Sequence, residues 1–274
     1  MNGINAQTVI PVWEGNPPTD NGLTGQEVVS DGRISDVSVP EMIVYLPDEA
    51  VNKKMAVIIC PGGGYARLAM DHEGHQFAKW LRTQGITGII LKYRMPNKHK
   101  TVPLEDFQQA MRYVRSKAVE WNIVREDMQT KIGVAGFSAG GHLASTASTH
   151  YASDELRPDF SILFYPVITM GNYTHEGSRN NLLGENPSAN DVLFYSNETR
   201  VDNQTPPAIL LLSDDDKAVP SRNSVMYYNA LKEKNVPATM YIFPEGGHGW
   251  GMRSEFKYHN EMLMLLKMWL EQLQ

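Results

Sequence analysis

The chain has 274 residues, 20% of them charged and 42% hydrophobic, a balance that excludes a disordered chain and suits one large core in a single domain. Its formal charge of −6, from 25 Lys and Arg against 31 Asp and Glu, argues against a nucleic-acid or anionic-membrane partner. No apolar run approaches the roughly 18 residues of a membrane-spanning helix, and the single cysteine, Cys60, has no internal disulfide partner and reads as an inert core thiol.

Residues 1–36 are rich in Gly, Pro, Asn and Asp without sustained periodicity, and are expected to form an extended leader. They carry neither the basic n-region nor the apolar h-region of a signal peptide. From residue 37 to 274 a single domain is expected. "VPEMIVYLP" and "KMAVIICP" read as strands, short and branched and ended by Pro or Gly. "EGHQFAKWLRTQG" sets Phe77, Trp80 and Leu81 on one helical face and stops at Gly85. "ITGIILKYR" is a strand, and "PLEDFQQAMRYVRSKAVEWN" a helix with Pro103 near its start and acids in its first turn.

The alternation continues. "KIGVAGF" is a strand and "AGGHLASTAST" a helix; "DFSILFYPV" and "PPAILLLSD" are strands, "SRNSVMYYNALKEKN" a helix, "ATMYIFPE" a strand and "EFKYHNEMLMLLKMWLEQL" a long helix. Strands alternating with helices predict an α/β fold with a mainly parallel sheet covered on both faces, antiparallel where the early strands follow one another directly. The polar stretch 169–205 is too long for a simple connection and is expected to be a functional loop or small cap. Its three N-x-T matches, at Asn172, Asn197 and Asn203, read as chance in an Asn-rich region.

Gly136-Phe137-Ser138-Ala139-Gly140 fits G-x-S-x-G between a strand and a helix, the context in which that pentapeptide carries a nucleophilic serine. The flanking glycines permit a strained turn, and the helix N-terminus behind it adds positive potential where an oxyanion would form. "CPGGGYARL" leaves backbone N–H groups uncovered, which makes Gly63 and Gly64, with the amide of Ala139, the expected oxyanion hole. No Lys-Ser or Lys-Thr follows these glycines, so they are not a P-loop. In chain order Ser, Asp, His, the base is expected at His248 in "YIFPEGGHGWG". The acid is expected in Asp214-Asp215-Asp216 after "AILLLS". Asp216 is chosen because D-x-x-V-P, Asp216 to Pro220, is a common register before a following helix, with Asp214 and Asp215 as alternatives. His142 lies on the helix behind the serine and is not expected to be the base. His72-Glu73-Gly74-His75 departs from H-E-x-x-H, so neither a metal site nor a cofactor is expected. Asp71 is expected to cap the following helix. Tyr65, Trp250 and Tyr173 are candidates for sugar-packing walls, and Arg94 and Arg112 for a carboxylate contact.

These segments in this order, joined by "NLLGENPS", resemble α/β-hydrolases of the bacterial carbohydrate-esterase type that includes acetylxylan esterases. The resemblance runs from about Val39 to Leu270. "CPGGG" stands where the HGGG loop of lipases and esterases stands, with Pro61 replacing its His. The resemblance implies a Ser138–His248–Asp216 triad acting through an acyl-enzyme on acetylated xylan or its oligosaccharides. A feruloyl or general small-acyl carboxylesterase is the alternative, and a non-catalytic hydrolase-fold binding protein the remote one. It further implies an acetylated carbohydrate as partner and an exported protein, with the cytoplasm as the other location. Oligomeric state is not legible.

Overall fold

The computed structural model describes residues 7–273. Its central sheet is built on runs with no polar alternation. β5 (Ala56–Cys60), β7 (Thr87–Lys92), β8 (Ile132–Phe137), β9 (Ser161–Phe164) and β10 (Ala208–Ser213) are buried at every position, which requires cover on both faces. Three strands complete the sheet: β1 (Gln7–Pro11), β4 (Glu41–Tyr45) and β11 (Ala238–Phe243). The order is β1-β4-β7-β5-β8-β9-β10-β11. The pairs β1/β4 and β4/β7 are antiparallel, and every later pair is parallel.

Parallel neighbours need crossovers, and the helical stretches supply them. They are α1 (Gln76–Thr83), α2 (Val102–Ser116), α3 (Ala139–Thr149) and α6 (Arg222–Glu233), with α7 (His259–Glu271) closing the chain. The face expected for α1 is buried at Phe77 and Leu81, with Trp80 half-buried and stacked on Phe77. α2 ends at Ser116, short of the expected Asn122, and the chain then turns.

Two stretches depart from the expected pattern. The described part of 1–36 is no free leader. It supplies β1 at the sheet edge and the hairpin β2 (Val28–Ser30) and β3 (Arg33–Ser35), which with β6 (Arg67–Leu68) forms a second, three-stranded sheet. β2 and β3 are exposed or half-buried, so their sequences show no apolar periodicity to read. The 169–205 stretch folds into two short helices, α4 (Glu176–Leu183) and α5 (Ala189–Phe194).

Arg94 is buried and clamps Asp106, its Nη2 2.7 Å from Oδ1, while Trp13 Nε1 donates to the same oxygen at 2.8 Å and Nη1 reaches the Thr19 carbonyl. The pair ties the N-terminal segment to α2, so the carboxylate contact considered for Arg94 is internal. Arg112 is exposed on α2 and takes no part in the site described below.

Candidate active site

The segments expected to carry chemistry all follow the carboxyl ends of parallel strands, the usual ligand edge of such sheets. They leave β5 at Pro61, β8 at Ser138, β10 at Asp214 and β11 at Pro244. Ser138 occupies φ 53°, ψ −118°, a conformation that L-residues rarely adopt and that persists only where its surroundings hold it. Its N–H donates to the Phe164 carbonyl, and its own carbonyl accepts from His142 and Val167. Gly140 sits where a Cβ would lie 2.0 Å from the Cys60 carbonyl oxygen, so only glycine allows α3 to approach β5 this closely.

His248 reaches the serine from the loop after β11. Ser138 Oγ lies 2.8 Å from Nε2, and Nδ1 lies 2.6 Å from Asp216 Oδ2. The other Asp216 oxygen accepts the amides of Ala218 and Val219, both at 2.9 Å, which fixes the carboxylate's orientation. Asp215 accepts the Gly247 amide at 2.8 Å and so anchors the histidine loop from outside. Asp214 is exposed. Of the three adjacent acids, only Asp216 meets the imidazole. His142 is held elsewhere. Its Nε2 lies 2.8 Å from the Tyr195 carbonyl, which can only accept, so Nδ1 accepts from Tyr65 Oη at 2.9 Å. Burial pulls His142 down to about 4 and keeps it neutral.

The glycine loop is tied down on every side but one. Tyr93 donates to the Pro61 carbonyl, Ala69 to that of Gly62, and Asn181 of α4 to that of Gly64. The Gly62 amide donates to Glu73 Oε2 at 2.7 Å. The amides of Gly63 and Gly64, with φ of 137° and 68°, have no acceptor among the described residues. At Gly63 a Cβ would meet the Arg67 carbonyl oxygen at 2.1 Å, so no other residue fits. The Ala139 amide opens α3 and belongs to the first turn of N–H groups that a helix leaves unpaired.

Glu73 is the residue that motif reading passed over. It lies in a π-helix, Met70–His75, just before α1, a geometry often found at functional sites. Its Oε1 accepts from Tyr165 Oη at 2.9 Å, and that oxygen accepts the Gly251 amide at 2.8 Å. The Tyr165 ring packs edge-on against His248, centroids 4.8 Å apart. One buried carboxylate thus joins the glycine loop, the segment after β9 and the histidine loop. Burial raises its pKa, opposed by the Gly62 and Tyr165 hydrogen bonds. His72 lies 3.8 Å from Glu73, but burial first, then Arg253 and Arg33, pull it to about 4, so the two do not form an ion pair near neutrality.

Ser138, His248, Gly63 and Gly64 open on one cavity of about 320 Å³, walled also by Glu73, His175 and three arginines. The three aromatics considered as sugar walls are not among its lining residues. Tyr65 is buried in its bond to His142. Trp250 is buried, donates to Ser213 Oγ at 3.0 Å and stacks on Phe256. Tyr173 is exposed under the Arg222 guanidinium, 4.6 Å from its ring centre. Each has a packing partner that sequence spacing does not reveal. Asp71 caps no helix; its Oδ2 accepts from Gln76 Nε2 at 2.9 Å. Among the described residues no group of three or more His, Cys, Asp or Glu side chains is arranged to hold a metal ion.

The sheet, the strained serine turn and the histidine loop define an α/β-hydrolase. The chain matches the BD-FAE family over residues 42–231 and belongs to it. It is 40% identical over 243 residues to an acetylxylan esterase of Xylanibacter ruminicola, covering 87% of this chain and 49% of the relative. It is 36% identical over 226 residues to endo-1,4-beta-xylanase B of Butyrivibrio fibrisolvens, covering 77% of this chain and 34% of that one. The chain therefore spans about half or less of the length of these curated relatives. Among solved structures, an acetyl ester-xyloside bifunctional hydrolase from Caldicellulosiruptor lactoaceticus superposes with a TM-score of 0.85 at 36% identity, covering 99% of this chain and 98% of that one.

Proposed function

We propose that this chain is a serine carboxylesterase that removes acetyl groups from xylan or xylo-oligosaccharides. The observation that carries the reading is the unbroken Ser138–His248–Asp216 hydrogen-bonded chain, ending on the cavity that Gly63 and Gly64 also line.

His248 Nε2 takes the hydroxyl proton as Ser138 Oγ attacks the ester carbonyl. The Gly63, Gly64 and Ala139 amides hold the developing oxyanion. Asp216 keeps the proton on Nδ1 and stabilises the imidazolium. The tetrahedral intermediate collapses, the proton passes from His248 to the sugar oxygen, and the alcohol leaves. Water, deprotonated by the same imidazole, attacks the acetyl-serine, and acetate departs as Ser138 regains its proton. A glycosidic reaction would instead need two facing carboxyl groups; the cavity presents one, Glu73, with both oxygens engaged.

The test is release of acetate from acetylated xylo-oligosaccharides, measured beside release of ferulate from feruloylated ones. Acetate release dominates in the wild type, and Ser138→Ala lowers kcat by about 10³-fold or more. Dominant ferulate release would overturn the acyl assignment.

A further inference from the structure

Three arginines reach the Ser138 cavity from separate segments: Arg33 on β3, Arg67 on β6 and Arg253 after the histidine loop. Arg33 and Arg67 stand on neighbouring antiparallel strands. Ser35 is the register partner of Arg67, and Arg33 lies two residues from Ser35, so both arginines project from the same face as diagonal neighbours. The same two residues wall an adjoining outer depression with Ser30, Asp31 and Ser35. The positive rim therefore extends outward from the serine.

None of the three guanidinium groups forms an ion pair within 4.0 Å among the described residues. Glu73, the one acid lining the cavity, has both oxygens occupied, and Asp31 is exposed in the outer depression. Like charges on neighbouring strand positions repel, and this chain, with a net charge of −6, has acids to spare for neutralising them. Five of the other arginines do pair with acids, among them Arg94 with Asp106, Arg82 with Asp48 and Arg179 with Glu176. Unpaired planar forks beside a reactive serine suit an incoming carboxylate, which they can grip through two parallel hydrogen bonds.

We infer that this rim is a subsite for a carboxylate on the sugar portion of the substrate: the preferred substrate is an acetylated xylo-oligosaccharide bearing a uronic acid near the ester. The inference rests on the esterase reading above and adds the charge of the alcohol it releases. The sugar side is favoured over the acyl side because Arg33 and Arg67 continue into the outer depression, away from Ser138, where a two-carbon acyl group does not extend.

The test compares acetylated xylo-oligosaccharides carrying a uronic acid with the same material after reduction of its carboxyl to an alcohol. The wild type is expected to favour the acidic substrate about tenfold in kcat/KM, mostly through KM, with the preference shrinking as salt is raised. In Arg67→Gln/Arg253→Gln the ratio falls toward one. Equal efficiency on both substrates in the wild type overturns the subsite and leaves the esterase reading standing. Acetate release from neither substrate, with p-nitrophenyl acetate still hydrolysed, overturns the subsite and the xylan-derived substrate together. A parallel comparison of p-nitrophenyl acetate with p-nitrophenyl hemisuccinate locates the charge: an arginine-dependent preference for the succinyl ester alone would put the carboxylate on the acyl side and contradict the inference.

Discussion

Asp214, Asp215 and Asp216 follow one another after β10, yet each meets a different environment. Asp216 is buried against His248 and two backbone amides, Asp215 reaches the Gly247 amide, and Asp214 is exposed. The sequence register D-x-x-V-P pointed to Asp216, and the physical reason is local: the Ala218 and Val219 amides two and three residues on turn its carboxylate toward the imidazole. Asp216→Asn is therefore expected to lower kcat by about 10⁴-fold, because an amide no longer enforces the tautomer that leaves Nε2 free to accept. Asp215→Asn retains an oxygen acceptor for Gly247 and is expected to lower kcat by less than about tenfold. Steady-state kinetics on p-nitrophenyl acetate check both, and equal losses would contradict the assignment. What sequence could not supply at this scale is pairing. Arg33, Arg67 and Arg253 are far apart in the chain, and nothing in their neighbours tells that they share a cavity without an ion-pair partner among the described residues. The partners of Tyr65 and Trp250, His142 and Phe256, are likewise visible only once folded.

Among the elements, those buried on both faces or amphipathic with helical spacing were legible, because their apolar patterns are long enough to have one reading. β8 and α3 fall where "KIGVAGF" and "AGGHLASTAST" place them. The hairpin β2–β3 and the edge strand β1 were not, being short and largely exposed, and neither was the π-helix that presents Glu73. The contact between α3 and β5 gives the most direct element-scale prediction. A methyl at Gly140 would overlap the Cys60 and Pro61 carbonyl oxygens, both backbone atoms of a buried strand and its loop that cannot yield cheaply. Gly140→Ala is expected to cost about 3 kcal/mol or more in denaturant unfolding. Gly25→Ala, with no atom within 4 Å of the new methyl, stays within about 0.5 kcal/mol. Similar stability for the two variants would contradict the packing described.

At the scale of the whole molecule, two buried histidines make folding stability depend on pH. His142 and His72 both titrate near about 4 in the folded chain, lowered chiefly by burial, against an unfolded value of 6.5. As pH falls below 6.5 the unfolded chain takes up protons that the folded chain refuses, so stability is lost between about pH 6.5 and 4. Glu73 and Asp106, raised by burial, act in the opposite sense, so the histidine contribution is read as a difference. The fall in Tm between about pH 7 and pH 5 is expected to be a few degrees smaller in His142→Gln than in the wild type. An identical fall in both would mean that His142 is not held neutral. The same architecture gathers the serine, the imidazole, the acid and the uncovered amides at one edge of the sheet, and the covalent acyl-enzyme proposed above is the joint consequence to test. Its most direct test is mass spectrometry of enzyme quenched during turnover of p-nitrophenyl acetate. The expected result is an acetyl adduct on the peptide containing Ser138, absent in Ser138→Ala and accumulating in His248→Ala only if attack survives without the base. Turnover to free acetate with Ser138 unmodified at every time point would contradict the account.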